Sequence, residues 1–306
     1  MPWRPTAAAN AGTGVERKQL KTGSSMDHKR IMIGIGIAVL LVLACSLVPA
    51  GHPLVAVVLI PVGARALFEF NALLAPRSER GSDRWDLGRG IVFLLAAWGV
   101  ERYGWTEATT WGALFFVCAT VLIEALLRTD RASWSRTIGH RLTGQIYVIV
   151  LWSFVLRVFV SGDPGQALWP GLFLLMMVKG ADAGAYFVGS RIGRHKLFPL
   201  VSPRKSWEGV GGAVLVACIA ALTWSVVTGG RIGSIPLPLH HALILGLILP
   251  SAGVAGDLVE SRFKREVSAK DSADAIYGMG GVLDMVDSLL FAAPVFYVYI
   301  HWFLNP

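Results

Sequence analysis

Three cysteines occur in the 306 residues, Cys45, Cys118 and Cys218, each inside an apolar run and none at metal-ligand spacing. No disulfide framework, Cys-ligated metal or redox centre is indicated, and the three read as small packing residues. There is no GxxxxGK followed by Ser or Thr, so a Walker loop is absent. No internal repeat stands out. A nucleic-acid binder is disfavoured despite a formal charge of +8, because the aromatic residues lie mostly within apolar runs instead of alternating with the basic patches.

What the chain has in quantity is apolar length. With 54% hydrophobic residues and a mean hydropathy of +0.57 it is too apolar for an ordinary soluble domain. Runs at 31–49, 53–75, 110–127, 142–160, 209–228 and 288–304 are near the length a helix needs to cross hydrocarbon. Shorter or charge-flanked runs at 89–102, 168–188 and 240–256 complete an all-α, polytopic integral membrane protein of about nine transmembrane helices.

Residues 1–30 are polar and read as a disordered cytosolic tail. The 31–49 run behind them reads as a retained first helix and not a cleaved signal. Nine crossings then put 1–30, 76–89, 128–141, 189–208 and 257–287 on one side, and these segments hold 23 of the 28 Lys and Arg residues. This is the positive-inside pattern, which predicts an inner-membrane protein with these loops in the cytosol, its basic surface facing anionic phospholipid. Residues 31–141 carry little obvious chemistry, so the chain divides into N-terminal membrane helices and a C-terminal catalytic membrane region at 142–306.

Two polar stretches carry the chemistry. In 179–212, Asp182 lies among small residues three positions after Lys179. An Asp there is costly unless paired or hydrated, and reads either as a metal or nucleotide contact or as a structural partner of Lys179. Between Arg191 and Lys205 stand five Lys or Arg residues and His195 with no carboxylate, suited to a triphosphate or simply to anchoring a cytosolic face. Pro203 disfavours helix at Ser202, and Ser206 is placed to N-cap the next helix, whose N–H groups would form a phosphate site beside Arg204 and Lys205. Trp207 reads as a base-stacking surface or an interfacial anchor.

The second stretch, 256–288, packs seven carboxylates and four Lys or Arg between apolar segments. Asp257, Glu260 and Ser261 share one face of a helix, with Lys264 a turn beyond. Asp284 and Asp287, three apart behind Gly278, Gly280 and Gly281, pair likewise. Carboxylates crowded on one face repel, and a bound Mg2+ reverses that cost.

The sequence closely resembles the phosphatidate cytidylyltransferases, the CDP-diacylglycerol synthases, from about residue 179 to 294. Gly256-Asp257-Leu258 with Glu260-Ser261 matches the family's lead-in. Phe263, Lys264-Arg265, Lys270-Asp271, Ala273, Ile276, Gly280-Gly281, Val282, Asp284, Val286 and Asp287 match its C-terminal signature. Upstream, Asp182 to Tyr186, Gly193, Lys196-Leu197, Ser202 to Ser206 and Glu208-Gly209 match a second conserved-type region. Tyr277, Met279 and Met285 depart from it, standing where the signature has Pro, His and Arg.

The resemblance implies transfer of the CMP moiety of CTP to phosphatidate, giving CDP-diacylglycerol and pyrophosphate, with Mg2+ and room for a second, monovalent cation. It implies metal binding by Asp257, Asp284 and Asp287 and phosphate clamping by Lys264 and Arg265. Substrate contacts are expected from Asp182, Lys196, Ser202, Arg204, Lys205, Ser206, Ser261 and Lys270. An ion-coupled transporter and a catalytically weakened paralogue are the alternatives. The apolar spans leave a homodimer open.

Overall fold

The computed structural model describes residues 53–74, 83–127, 134–160, 166, 168–267 and 281–304. The tail at 1–30, the expected first helix at 31–49, Lys270, Asp271, Tyr277 and Met279 lie outside the described residues. Helix α1 covers Pro53–Leu74, α2 Asp83–Tyr103 and α3 Glu107–Leu127. Gly104, at φ 67°, makes the tight turn between α2 and α3, a left-handed conformation that favours glycine. Helix α4, Trp134–Gly144, runs through a π-helical turn at Gln145–Val150 into α5, Leu151–Val160. Residue 141, where the two regions were expected to meet, lies within this continuous segment.

Helix α6, Leu168–Ile192, leads to a hairpin of β1, Lys196–Phe198, and β2, Ser202–Ser206. Helix α7, Trp207–Val227, follows at once. A smaller hairpin of β3, Arg231–Ile232, and β4, Ile235–Pro236, precedes α8, Leu239–Glu266. Helix α9 is Val282–Tyr299, with a π-helical turn at Ile300–Leu304. The fold is a helical membrane bundle, and the two hairpins are small additions to the all-α expectation. Among the described residues, seven helical segments are long and apolar enough to cross a bilayer. The 21 residues of α2 are also long enough, at about 1.5 Å per residue, but carry charge.

Three of the charged residues of α2, Asp86, Arg89 and Glu101, are paired. Arg89 bridges Asp86 at 2.6 Å and Glu124 at 2.5 Å, and Arg141 reaches Glu124 at 2.8 Å. This network ties α2, α3 and α4 at one end of the bundle. At the other end Arg157 on α5 holds Glu107 at 2.8 Å, Glu101 at 3.2 Å and the Tyr297 hydroxyl at 3.2 Å. Charges inside a membrane protein persist when they are neutralised in this way.

Helices α6 and α7 meet backbone to backbone. A Cβ added at Gly184 would sit 2.7 Å from the Gly212 carbonyl oxygen. We expect Gly184→Val to push the pair apart, lowering stability by about 1–3 kcal/mol. Thermal unfolding in detergent checks this, and an unchanged melting temperature would rule out the tight contact.

Candidate active site

The site lies where the C-terminal half of α8 meets the start of α9. The face read from the spacing is helical throughout: Ser261 donates to Asp257 Oδ1 at 3.1 Å, and Lys264 donates to Glu260 at 2.9 Å. Gly256 brings the two helices together, since a Cβ there would stand 2.5 Å from the Asp287 carbonyl oxygen. Asp287 and Glu260 are buried, at 5% and 2% exposure, and Asp257 is half-buried. One oxygen from each of Asp257, Glu260 and Asp287 falls within 4.8 Å of the others.

Asp284 turns elsewhere. It accepts the Gly281 N–H at 2.8 Å, capping α9, and takes the Lys264 ammonium at 2.6 Å. The acid grouped with Asp257 and Asp287 is therefore Glu260, and Asp284 joins them through Lys264. Lys264 is held between two carboxylates, so its positive charge organises the two helices. Arg265 reaches back to the β1–β2 turn, donating to the Val201 carbonyl at 3.1 Å.

The hairpin brings the basic loop to these acids. Lys205 on β2 pairs with Asp257 at 2.7 Å, while Arg204 and Lys196 are exposed. Ser202 is half-buried on the same strand. Ser206 caps α7 by accepting the Gly209 N–H at 3.2 Å, as its place just before the next apolar run suggested. The Trp207 N–H donates to the His195 carbonyl at 2.9 Å, and Glu208 takes the His195 N–H at 3.1 Å. Two of the first N–H groups of α7 are thus spent within the protein beside a carboxylate. The Trp207 side chain is exposed.

From α6, Lys179 reaches Asp182 at 3.4 Å and the Met285 carbonyl at 2.9 Å, joining the third helix to α9. The pairing reading of Asp182 is therefore realised, within a wider cluster. Five carboxylates, of Asp182, Asp257, Glu260, Asp284 and Asp287, face three ammonium groups, of Lys179, Lys205 and Lys264.

With every group ionised the cluster carries an excess of two negative charges. Glu260 Oε1 is buried and has no hydrogen-bond partner among the described residues. An acceptor left bare at the centre of an acidic group fits a hard divalent cation, whose oxygen ligands stand about 2.0–2.5 Å away.

Two residues of the first half belong to this region and carried no motif. Glu69 on α1, fully buried, accepts the Leu283 N–H at 2.9 Å and the Arg65 Nε–H at 2.9 Å. It satisfies an end of α9 that would otherwise be bare. Tyr147 lies beside Phe70 of α1 and Phe263 of α8, with ring centroids 5.4 Å and 5.3 Å away. An acid inside an apolar run was the available signal for Glu69. Nothing in the sequence marked Tyr147.

A bundle of long apolar helices that gathers carboxylates and lysines where α6, α8 and α9 meet defines a polytopic membrane protein with a charged centre. Comparison narrows this. Residues 28–303 match the cytidylyltransferase family, and the chain belongs to that family. A phosphatidate cytidylyltransferase of Bacillus subtilis (strain 168) is 29% identical over 219 residues, covering 68% of this chain and 77% of that protein. That of Haemophilus influenzae is 41% identical over 147 residues, 46% of this chain and 49% of that protein. The uncharacterized protein YnbB of Escherichia coli (strain K12) is 41% identical over 197 residues, 62% of this chain and 63% of that protein.

Proposed function

We propose that the chain transfers the CMP moiety of CTP to phosphatidate, giving CDP-diacylglycerol and pyrophosphate, at the cytosolic face of the inner membrane. Family membership supports the cytidylyl transfer. The observation that carries the local reading is the meeting of the Asp257, Glu260 and Asp287 oxygens with Lys205 from the basic hairpin.

The phosphate monoester of phosphatidate, with a second pKa of about 6, is already a nucleophile at neutral pH. One of its oxygens attacks the α-phosphorus of CTP as the bond to the bridging oxygen breaks, and pyrophosphate departs with that electron pair. No activated Ser or general-base His is required, which is consistent with Met279 standing where the family signature has His. The chain's task is alignment and charge neutralisation.

Asp257, Glu260 and Asp287 are the residues that would hold Mg2+, with Asp284 adjacent. When bound, Mg2+ would neutralise phosphate charge and favour pyrophosphate as leaving group. Lys205 and Arg204 are placed to hold phosphate oxygens from the hairpin side, with Lys196 and Ser202 on the same hairpin. Lys264 fixes Glu260 relative to Asp284, Ser261 steadies Asp257, and Lys179 positions Asp182 and the start of α9. Arg265 holds the hairpin turn over α8, so it serves the site by placing Lys205. Lys270 is proposed as a further phosphate contact from its place in the signature.

Purified protein supplied with labelled CTP, phosphatidate and Mg2+ is expected to yield labelled CDP-diacylglycerol. EDTA is expected to lower the rate by at least about a hundredfold, with recovery on added Mg2+. Absence of product in a lipid bilayer would overturn the reaction. Undiminished product in EDTA would overturn the role of the divalent cation.

A further inference from the structure

Tyr147 is a buried polar group that neither the packing nor the mechanism above uses. It sits within the π-helical turn at Gln145–Val150, where an extra residue per turn re-aims side chains. Its ring lies 5.3 Å from Phe263 and 6.3 Å from Phe291, centroid to centroid. Phe263 follows Glu260 by three positions and Phe291 follows Asp287 by four. Residues so spaced share a helix face, so the phenol is wedged against the faces that carry two of the cluster acids.

The residue is 6% exposed, and its hydroxyl has no hydrogen-bond partner among the described residues. Its immediate ring neighbours Phe70, Phe263 and Phe291 are phenylalanines. A fourth phenylalanine would fill the same space without leaving a buried O–H unbonded, an omission that costs about 1–3 kcal/mol.

We infer that the Tyr147 hydroxyl donates a hydrogen bond to a phosphate oxygen that substrate brings into the acidic cluster. The inference rests on the transferase reading. The cluster carboxylates, when ionised, only accept, and Lys179, Lys205 and Lys264 are each engaged with an acid. Tyr147 therefore adds a neutral donor carried by the π-helical turn and not by the basic hairpin. The phosphate belongs to the nucleotide or to the lipid headgroup, and the two sources are separable by experiment.

Tyr147→Phe keeps the ring and removes only the O–H. In the full-length protein we expect an unchanged or higher melting temperature without ligand, since no internal bond is lost. Turnover is expected to fall about tenfold, the effect of one hydrogen bond that strengthens in the transition state. Thermal stabilisation by ligand, read with CTP alone and with short-chain phosphatidate alone, is expected to shrink in one arm. Loss in the CTP arm assigns the contact to the nucleotide, and loss in the phosphatidate arm to the lipid.

Wild-type turnover with both stabilisations intact would overturn the inference. So would a lowered ligand-free melting temperature, which would give the hydroxyl a partner within the fold. A wild-type protein that makes no product would instead overturn the transferase reading, and the single-ligand shifts, which need no turnover, would still decide the hydroxyl contact.

Discussion

Asp257→Asn is expected to reduce CDP-diacylglycerol formation by roughly a thousandfold, the scale associated with losing a principal electrostatic element of a transition state. Two losses coincide. One of the three cluster oxygens becomes a neutral amide, and Lys205 loses the carboxylate that holds it at 2.7 Å. The hairpin then no longer presents its ammonium group in register with α8. Stability should scarcely change, because removing one acid also relieves repulsion with Glu260 and Asp287. A labelled-CTP assay beside a thermal unfolding curve separates the two effects. Activity above a tenth of wild type would take Asp257 out of the reacting centre.

Lys264→Met is expected to be the most damaging single change for the folded state. The Lys264 side chain is 12% exposed and bridges Glu260 on α8 to Asp284 on α9. Its removal leaves two carboxylates facing each other across a packed interface. Breaking a buried ion pair from one side costs about 3–5 kcal/mol, which should lower the melting temperature by roughly 10 °C. Adding Asp284→Asn should recover part of that loss, because the second change removes one of the stranded charges. Comparing both single variants with the double variant measures the coupling. A Lys264→Met protein that melts like wild type would show that the bridge contributes nothing.

The helices were legible because hydrocarbon imposes a length, and the runs at 53–75, 110–127 and 209–228 overlap α1, α3 and α7 closely. Borders were less legible where polar work begins inside a helix. The apolar reading of α8 stops at 256, yet the helix continues to Glu266, as the spacing of Asp257, Glu260, Ser261 and Lys264 required.

The β1–β2 hairpin was not legible. Pro203 signalled extended backbone, but the pairing of Lys196 with Ser206 is a matter of register between two very short strands. The grouping of Glu260 with Asp257 and Asp287 was also hidden. Spacing places Asp284 and Asp287 together on one side of α9, but the packing of that helix against α8 decides that Asp287 meets Asp257 and Glu260 while Asp284 meets Lys264. The ion pairs of Arg89, Glu124 and Arg141 link different helices, and a lone sequence shows the charges without their partners.

The bond from the Leu283 N–H to Glu69 spans 214 positions. During synthesis the N-terminal part of a chain emerges first. The acid that completes the amino end of α9 has therefore already been made, on α1, when α9 leaves the ribosome. Assembly of the Asp257, Glu260 and Asp287 cluster consequently waits for α9, and a chain halted before residue 282 lacks Asp287, one of the three acids of the candidate cation site.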